Sequence, residues 1–523
     1  MEAKKNELSK EELDKVYDQG NELRKYQTEP ENISILPTLD PAVDVSKTNP
    51  NIYTLTTSAT HPNNITYHFS ENTGGLIYFK MHFPLQGKFT DKEIQFLPLF
   101  FSYLLRAGGA ELDENTFAIN KDLYTGGMSI STDFVEKNGQ MFIKVSSSCL
   151  EKNLSNMLDL WNKVLNQPRL SNPNIMKVLL KSTITGLNSN IQGNGHGFAQ
   201  TNASSSLTAS AKYSEMMGGL EQLQFLKELE IEQLDEEDGD SESQPIVVRS
   251  NYAKSKGTID INRFFDKIFN KSGQKSAFVT CSAEKGELPE ISTFIDQINT
   301  KHSNSENFQH NLDLSSDSSK RHWTLEGSMV NYVSLAIKTD EEDVSKLQVL
   351  AKLISAKYTH PLIRERGGAY GSGLIPPGLG SDLKTLRYFS YRDPANLNTL
   401  ATYKQTYDWA VGNKVPISYQ SSDLSPWTEE DLKEAKLRAF QSIDAPVAVS
   451  NLGNSEVFQK ITAEKKNKYR NDVLNVTADD IKSMAEKYLR PIEDGHDKEY
   501  EGVCIIGPTE FSLSEQNWEM RDV

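Results

Sequence analysis

The chain has 523 residues, 37% of them hydrophobic and 24% charged, and a formal net charge of -16. That length exceeds what one hydrophobic core organises, so two sizeable domains are expected. No run approaches the roughly 18 apolar residues of a membrane span, and the acidic balance argues against a nucleic-acid partner, which calls for clustered Lys and Arg.

Met1 to Arg24 is charged and helix-prone, with no apolar signal-peptide core and with acidic residues that a transit peptide lacks, so no cellular address is legible. Leu76 to Phe83 alternates like a strand. A helix follows, with Thr90 and Glu93 at capping-box spacing. Its apolar stretch, Ile94 to Leu105, is wide enough to pack on a sheet, and Pro98 should kink or delay it. Then come Gly126-Gly127, a strand at Met141 to Val145 and a helix at Leu154 to Leu165. Leu234 to Ser243, LDEEDGDSES, reads as a solvated loop without chemistry. The helix Ile261 to Phe269 and the strand Ala277 to Cys281 close the series. Ser303 to Ser319, polar and rich in Ser and Asn, falls where a domain boundary is needed.

The same plan then repeats. A strand at Tyr332 to Ile337 leads to Thr339 and Glu342, again at capping-box spacing, and to the apolar stretch Val344 to Tyr358. Gly367-Gly368 follows, then a strand at Leu386 to Tyr391 and a helix at Leu397 to Val411. The helix Ala478 to Leu489 and the strand Val503 to Ile506 close the second series. The whole reads as two α+β domains. Cys149, Cys281 and Cys504 lie far apart and form no metal or disulfide pattern, as buried reduced thiols would.

Arg364 to Gly371, RERGGAYG, followed by Phe389 to Asn396, FSYRDPAN, resembles the pitrilysin-type peptidases, in the branch that holds presequence protease and falcilysin. GNGHGFA from Gly193, EMMGG ending at Gly219, the Leu36-Pro37-Thr38 opening and the VTADDIKSMAEKYL ending extend the resemblance over nearly the whole chain, yet over only half of the family's protein. Full-length members have four homologous domains in two halves joined by a helical hairpin. The resemblance therefore implies part of that hairpin at 1–31, a third pitrilysin-type (LuxS/metallohydrolase-like) domain at 32–302 and a fourth at 320–523, each a mostly antiparallel sheet covered by helices.

The family's zinc site lies in the first domain and uses H-x-x-E-H, where two His on one helical turn face the metal and the Glu serves as general base. Only near misses occur here: His68 with Glu71 and then Asn72, and His496 with Glu499 and then Tyr500. No metal site is assigned to this chain, and zinc is expected in the missing amino-terminal half.

Peptide hydrolysis builds negative charge on the scissile carbonyl oxygen, and fixed donors aimed at it lower the barrier. The resemblance implies that Arg364 and Tyr370 reach across a closed chamber to a substrate held by the other half, with Gly367 and Gly368 turning tightly beside it. Aligning the two glycine pairs puts Leu123 opposite Arg364 and Ser129 opposite Tyr370, so the first copy lacks the pair. Arg392 is a further substrate-binding candidate, although an Arg-Asp pair more often fixes a turn, and His196 reads as a structural, hydrogen-bonded histidine. The glycines from Gly367 to Gly380 match no nucleotide loop.

The expected function is thus the zinc-free carboxyl-terminal half of a metalloendopeptidase, inactive or nearly so without its amino-terminal half. Its other partners are unstructured peptides, often basic ones, which an acidic chamber would favour. The family points to a mitochondrion, plastid or digestive vacuole without choosing among them. The alternative is a zinc-free homologue acting as a scaffold or peptide-binding subunit. An independent Ser or Cys hydrolase has no nucleophile motif behind it.

Overall fold

The computed structural model describes residues 9–28, 39–45, 55–61, 64–233, 246–270, 273–299, 307–314, 320–416, 423–490, 500–510, 513 and 518–523. The family-like opening at 36–38, the acidic run 234–243, both ends of the polar stretch 303–319 and the His496–Glu499 near miss lie outside these residues. Residues 1–48 and 49–523 are separate compact units. The first holds the helix Lys10–Thr28, opened by Ser9, whose N–H and hydroxyl both bond the Glu12 carboxylate at 2.8 Å. Its apolar side chains Val16, Tyr17, Leu23 and Tyr26 are all exposed. Among the described residues no helix is long and apolar enough to cross a membrane.

In the second unit the strands run, in chain order, β1 (Leu55–Thr57), β2 (Ile65–Phe69), β3 (Leu76–Pro84), β4 (Met128–Val135), β5 (Gln140–Leu150), β6 (Leu229–Gln233), β7 (Ile246–Ser250), β8 (Gly257–Asp260) and β9 (Ser276–Cys281). They continue as β10 (Lys320–Thr324), β11 (Tyr332–Lys338), β12 (Gly371–Ile375), β13 (Thr385–Tyr391), β14 (Val415–Pro416), β15 (Asp423–Leu424), β16 (Glu501–Gly507) and β17 (Glu519–Asp522). One six-stranded sheet has the order β1-β2-β9-β3-β5-β4, the other β17-β10-β16-β11-β13-β12. The internal repeat is thus a repeat of topology. In each sheet the opening strand lies parallel to the closing one, β2 to β9 and β10 to β16, and the closing strand lies antiparallel to β3 or β11. β5 and β13 then lead outward to the edge strands β4 and β12. This is a mixed α and β fold with mostly antiparallel sheets.

The alternation of β3 buries Ile77, Phe79, Met81 and Phe83 and leaves Tyr78, Lys80 and His82 on the other face. The helix Asp91–Ala107 covers the buried face, with the expected capping box at Thr90 and Glu93 formed. Pro98 neither delays nor breaks it. The helix runs through, and the carbonyl of Pro98 accepts the Ser102 hydroxyl at 2.9 Å. The second capping box is not formed. Thr339 is buried and donates its N–H to the Lys384 carbonyl (3.0 Å), continuing the pairing of β11 with β13, so that N–H is not open to Glu342, and its buried hydroxyl makes no cap bond. The helix Val344–Ile354 starts after a short turn instead, with Lys487 clasping Asp340 (2.8 Å) and Asp343 (2.7 Å).

Each series covers the open face of the other's sheet. The 32-residue helix Pro173–Ser204, bent at Asn194, lies on the second sheet, which is why both faces of β11 are buried. A Cβ on Gly195 would enter the Tyr332 ring, and one on Gly502 would overlap the Ala203 carbonyl oxygen. In return, residues 449–461 lie on the first sheet. There Lys80 bonds the Ser450 carbonyl and Asn454 Oδ1 (2.8 Å), and Gly453, at φ +78, sits against Phe278 and Leu55.

Glu215, from the EMMGG stretch, is fully buried and accepts from Asn202 Nδ2 (2.9 Å) and the Glu221 N–H (3.0 Å). Burial first, then the Glu221 carboxylate, pushes it above the usual carboxylate range against the pull of those hydrogen bonds. A carboxyl raised in the folded state contributes stability that is present below its unfolded value and lost as pH rises through the folded one.

Gly502→Ala should lower unfolding stability by roughly 1–3 kcal/mol in urea titrations, because the added methyl meets backbone rather than a side chain that can swing away. Glu215→Gln keeps an acceptor and cannot ionise. Compared with it, the natural chain should lose melting temperature progressively as pH rises above the ordinary carboxylate range, and a difference that does not vary with pH contradicts a neutral Glu215.

Candidate functional site

The helix Val344–Ile354 continues into a wider π-helical stretch, Ser355–Arg366, with Pro361 inside it. Proline lacks the N–H that a tighter helix needs, and such widened turns free backbone groups for other partners. Here they serve β12. Ser355 Oγ accepts the Leu374 N–H at 2.9 Å, and Ser372 Oγ donates to the Thr359 carbonyl at 3.0 Å. The outer edge of β12 is therefore tied to the helix.

The helix closes on the glycine pair. Gly367 donates to the Leu362 carbonyl (3.0 Å), Gly368 to Arg364 (3.2 Å) and Ala369 to Ile363 (3.1 Å), with Gly368 in the left-handed region at φ +83. A Cβ on Gly367 would come within 2.6 Å of the Ile363 carbonyl oxygen. Ala369 is buried, and Tyr370 donates its N–H to the Tyr391 carbonyl at 2.9 Å, which aligns β12 on β13.

Arg364 and Tyr370 thus leave a short, hydrogen-bonded turn, both exposed, Tyr370 at 71%. The Arg364 side chain has no ion pair among the described residues, whereas its neighbour Glu365 meets His360 at 3.1 Å. Tyr370 stands edge-on to Tyr391, ring centres 6.2 Å apart at 70°. Arg392 lies over the same ring at 5.5 Å and holds a positive φ of 48. Arg392 does not pair with Asp393. The buried Asp393 fixes the turn by itself, accepting from Thr399 Oγ1 (2.7 Å) and the Ala395 N–H (2.9 Å), and burial raises its carboxyl.

Sequence reasoning missed the centre of this cluster. Tyr391 also touches His196 (5.0 Å) and Tyr332 (5.9 Å), and Tyr332 donates to the Gln192 carbonyl at 2.6 Å. The histidine expected to be hydrogen-bonded is instead held by rings, with its buried Nδ1 unpartnered and its pKa lowered by burial. The signal that pointed there was the glycine flanking His196, Gly195, which allows the helix to approach Tyr332.

The sheets also correct the alignment of the two copies. The residue that donates as Tyr370 does is Gly126, bonded to the Ser148 carbonyl at 2.7 Å, with Ser148 opposite Tyr78 on β3. Ser129 lies three residues further on, its hydroxyl 2.7 Å from that of Ser146. Leu123, set opposite Arg364 by the glycine pairs, is an exposed residue of the α-helix Glu114–Tyr124, which has no widened turn.

His68 and Glu71 do not form a metal-binding helix: His68 is buried in β2, and Glu71 lies in the short turn after it. Asp340, Glu342 and Asp343 lie within ligand spacing of one another, and Lys487 already occupies that cluster as its counter-charge.

Gly368→Ala and Gly127→Ala each place a side chain at a positive φ, 83 and 114. Each should cost about 1 kcal/mol in chemical unfolding, with the fold retained.

A family model described as associated with the peptidases of family M16, subfamily C, matches residues 1–229, and one described as PreP C-terminal domain matches residues 325–507. The mitochondrial presequence protease of Xenopus tropicalis is 26% identical over 545 residues, covering 98% of this chain and 49% of that protein. The chain spans about half the length of the curated relatives it matches. Among solved structures, a peptidase M16 inactive domain from Pseudomonas fluorescens superposes with a TM-score of 0.55 at 10% identity, over 88% of this chain and 98% of that one. Pitrilysin does so with a TM-score of 0.54 at 11% identity, over 93% of this chain and 48% of that one; both likenesses are of fold. Over nearly its whole length the chain is thus similar to about half of the presequence proteases, with a family model of their carboxyl-terminal domain matching its second series and a fold like that of pitrilysin.

Proposed function

We propose that this chain is the half of a peptide-degrading metalloendopeptidase that binds and polarises the scissile carbonyl, and that it is inactive or nearly so without an amino-terminal half. The observation that carries the reading is an exposed arginine without an ion-pair partner among the described residues, set beside an exposed tyrosine on a turn fixed by backbone hydrogen bonds. The turn fixes where both side chains start and leaves their polar ends in solvent, open to a substrate. Arg364 supplies a permanent positive charge and Tyr370 a directional O–H, the two kinds of donor that stabilise an oxyanion. Gly367 and Gly368 allow peptide backbone to approach, and Arg392, lifted over Tyr391, would hold a neighbouring carbonyl of the substrate.

Zinc in the amino-terminal half would supply the activation of water. In this reading 32–302 and 320–523 are the third and fourth pitrilysin-type domains. Residues 1–31 belong to the hairpin that joins the halves, and the exposed apolar residues of Lys10–Thr28 suit a second hairpin helix.

Mixing the chain with the amino-terminal half of a presequence protease tests this. Hydrolysis of an unstructured peptide should occur in the mixture and not with the chain alone. Tyr370→Phe and Arg364→Ala should each lower kcat about 100-fold to 1,000-fold while leaving the melting temperature unchanged. A stable mixture that cleaves nothing, or one indifferent to both substitutions, favours a scaffold subunit instead.

A further inference from the structure

A second binding feature lies on the open face of the first sheet, under residues 449–461. There a cavity of about 360 Å³ is walled by β3, β5 and β9 on one side and by Val457, Phe458 and Lys460 on the other. That volume suits one bulky side chain with its polar attachments. The walls are aromatic. Phe142 stacks on His82 at 4.1 Å, and Phe458 stands edge-on to His82 at 5.3 Å and to Phe278 at 5.9 Å.

The polar groups share one sign. The described lining residues include no Asp or Glu, and Lys460 is the charged one among them. Its ammonium, on an exposed side chain, has one acceptor among the described residues, the Val457 carbonyl at 2.8 Å, which leaves donors over. Lys144 sits behind, 4.9 Å over the Phe458 ring, with Asp133 at 3.8 Å. Neither ring nitrogen of His82 has a hydrogen-bond partner among the described residues. Burial, then Lys144 and Lys460, lowers its pKa to about 4, so at neutral pH it offers one N–H in a positive field. Lys460 is also one of the few non-glycine residues at a positive φ, 57, a conformation that persists where surrounding structure imposes it and that gathers at ligand sites.

We infer that this cavity binds the carboxyl-terminal residue of a peptide, its apolar side chain among Phe142, Phe278 and Phe458 and its carboxylate against Lys460 and His82. A cation would meet the Lys460 ammonium, and a neutral apolar ligand would cover the His82 N–H without giving it an acceptor. A carboxylate answers both, with charge-assisted bonds. The cavity shares Val135, Asn138, Phe458 and Lys460 with a neighbouring cleft of about 1000 Å³, which gives the preceding residues of a peptide somewhere to lie. The inference rests on the reading of this chain as a peptide-handling half, and it names a subsite for the end of the chain, apart from Arg364 and Tyr370.

The 523-residue chain can be titrated with N-acetyl-Ala-Ala-Phe, as free acid and as carboxyl-terminal amide, by ligand-observed NMR. The free acid should bind at least about ten-fold more tightly than the amide, and more tightly than 3-phenylpropanoate, which has the same acid and ring without the peptide. Lys460→Gly, which the left-handed φ favours, should keep the melting temperature and remove the preference for the acid. Arg364→Ala should leave it unchanged. Equal binding of acid and amide, no binding, or a preference that survives Lys460→Gly overturns the inference. Binding of 3-phenylpropanoate as tight as that of the tripeptide overturns the peptide assignment. No step of this assay requires hydrolysis, so a failure here and a failure of the mixed halves are told apart.

Discussion

The contact on which the rest depends is the helix Pro173–Ser204 lying on the second sheet with no side chain between them at Gly195 and Gly502. At any wider spacing the Tyr332 hydroxyl would not reach the Gln192 carbonyl, and Tyr332, His196 and Tyr391 would not meet. Those rings form the floor on which Tyr370 and Arg392 stand. A helix from the first series therefore sets the geometry of a site on the second. The burial it brings, with Ile191, Phe198, Ala199 and Ala203 against Trp323, Ala336 and Ile506, is the hydrophobic term that holds the approach closed, at about 1.5–3 kcal/mol for each large side chain.

Much of this was legible in the sequence because it rests on local rules. β3, β5, β9, β11, β13 and β16 follow from alternation and apolar runs, and the order of the two series anticipates two sheets of like topology. Thr90 and Glu93 form the cap that their spacing predicts, whereas Thr339 and Glu342 do not, because strand pairing at Lys384 takes the threonine first. Pro98 misleads because position alone does not say whether a helix is held by enough packing to run through a proline; Phe96, Leu97, Leu99 and Phe100 around it are all buried. The candidate pair Arg364 and Tyr370 came from residue type and resemblance. The widened helix before it and Tyr391 beneath it did not, since one is a backbone register and the other a contact across about 200 residues of sequence, from His196 to Tyr391.

Charge shows the same division between global and local information. A net charge of -16 describes the field far from the surface and says nothing of particular sites. Inside, the buried Glu221 is met by Lys212 at 2.9 Å, Lys254 at 3.2 Å and Arg521 at 3.3 Å, and Arg321 binds the Asn202 carbonyl and Ser205 Oγ (2.9 Å). Breaking one member of such a set costs more than forming it contributes, so the set fixes which surfaces meet more than it adds stability. On the first sheet Lys80, Lys144 and Lys460 gather on one face, and an acidic protein presents a local positive patch there.

The two copies differ at the edge strand for a steric reason. A Cβ at Gly126 would come 2.5 Å from Ser148 Oγ, so a side chain fits where the first copy enters β4 only if that hydroxyl turns away. The second copy has Tyr391 where the first has Ser148, and the larger residue packs on Tyr332 and His196 and also meets the Tyr370 ring. Among the described residues the long helix that supplies His196 has no counterpart on the first sheet, whose open face is crossed instead by residues 449–461 around Phe458. One duplicated frame thus carries an exposed arginine and tyrosine on one sheet and an aromatic, cationic cavity on the other. The residue at the start of each edge strand, and what lies beneath it, decides which copy can bear a projecting tyrosine.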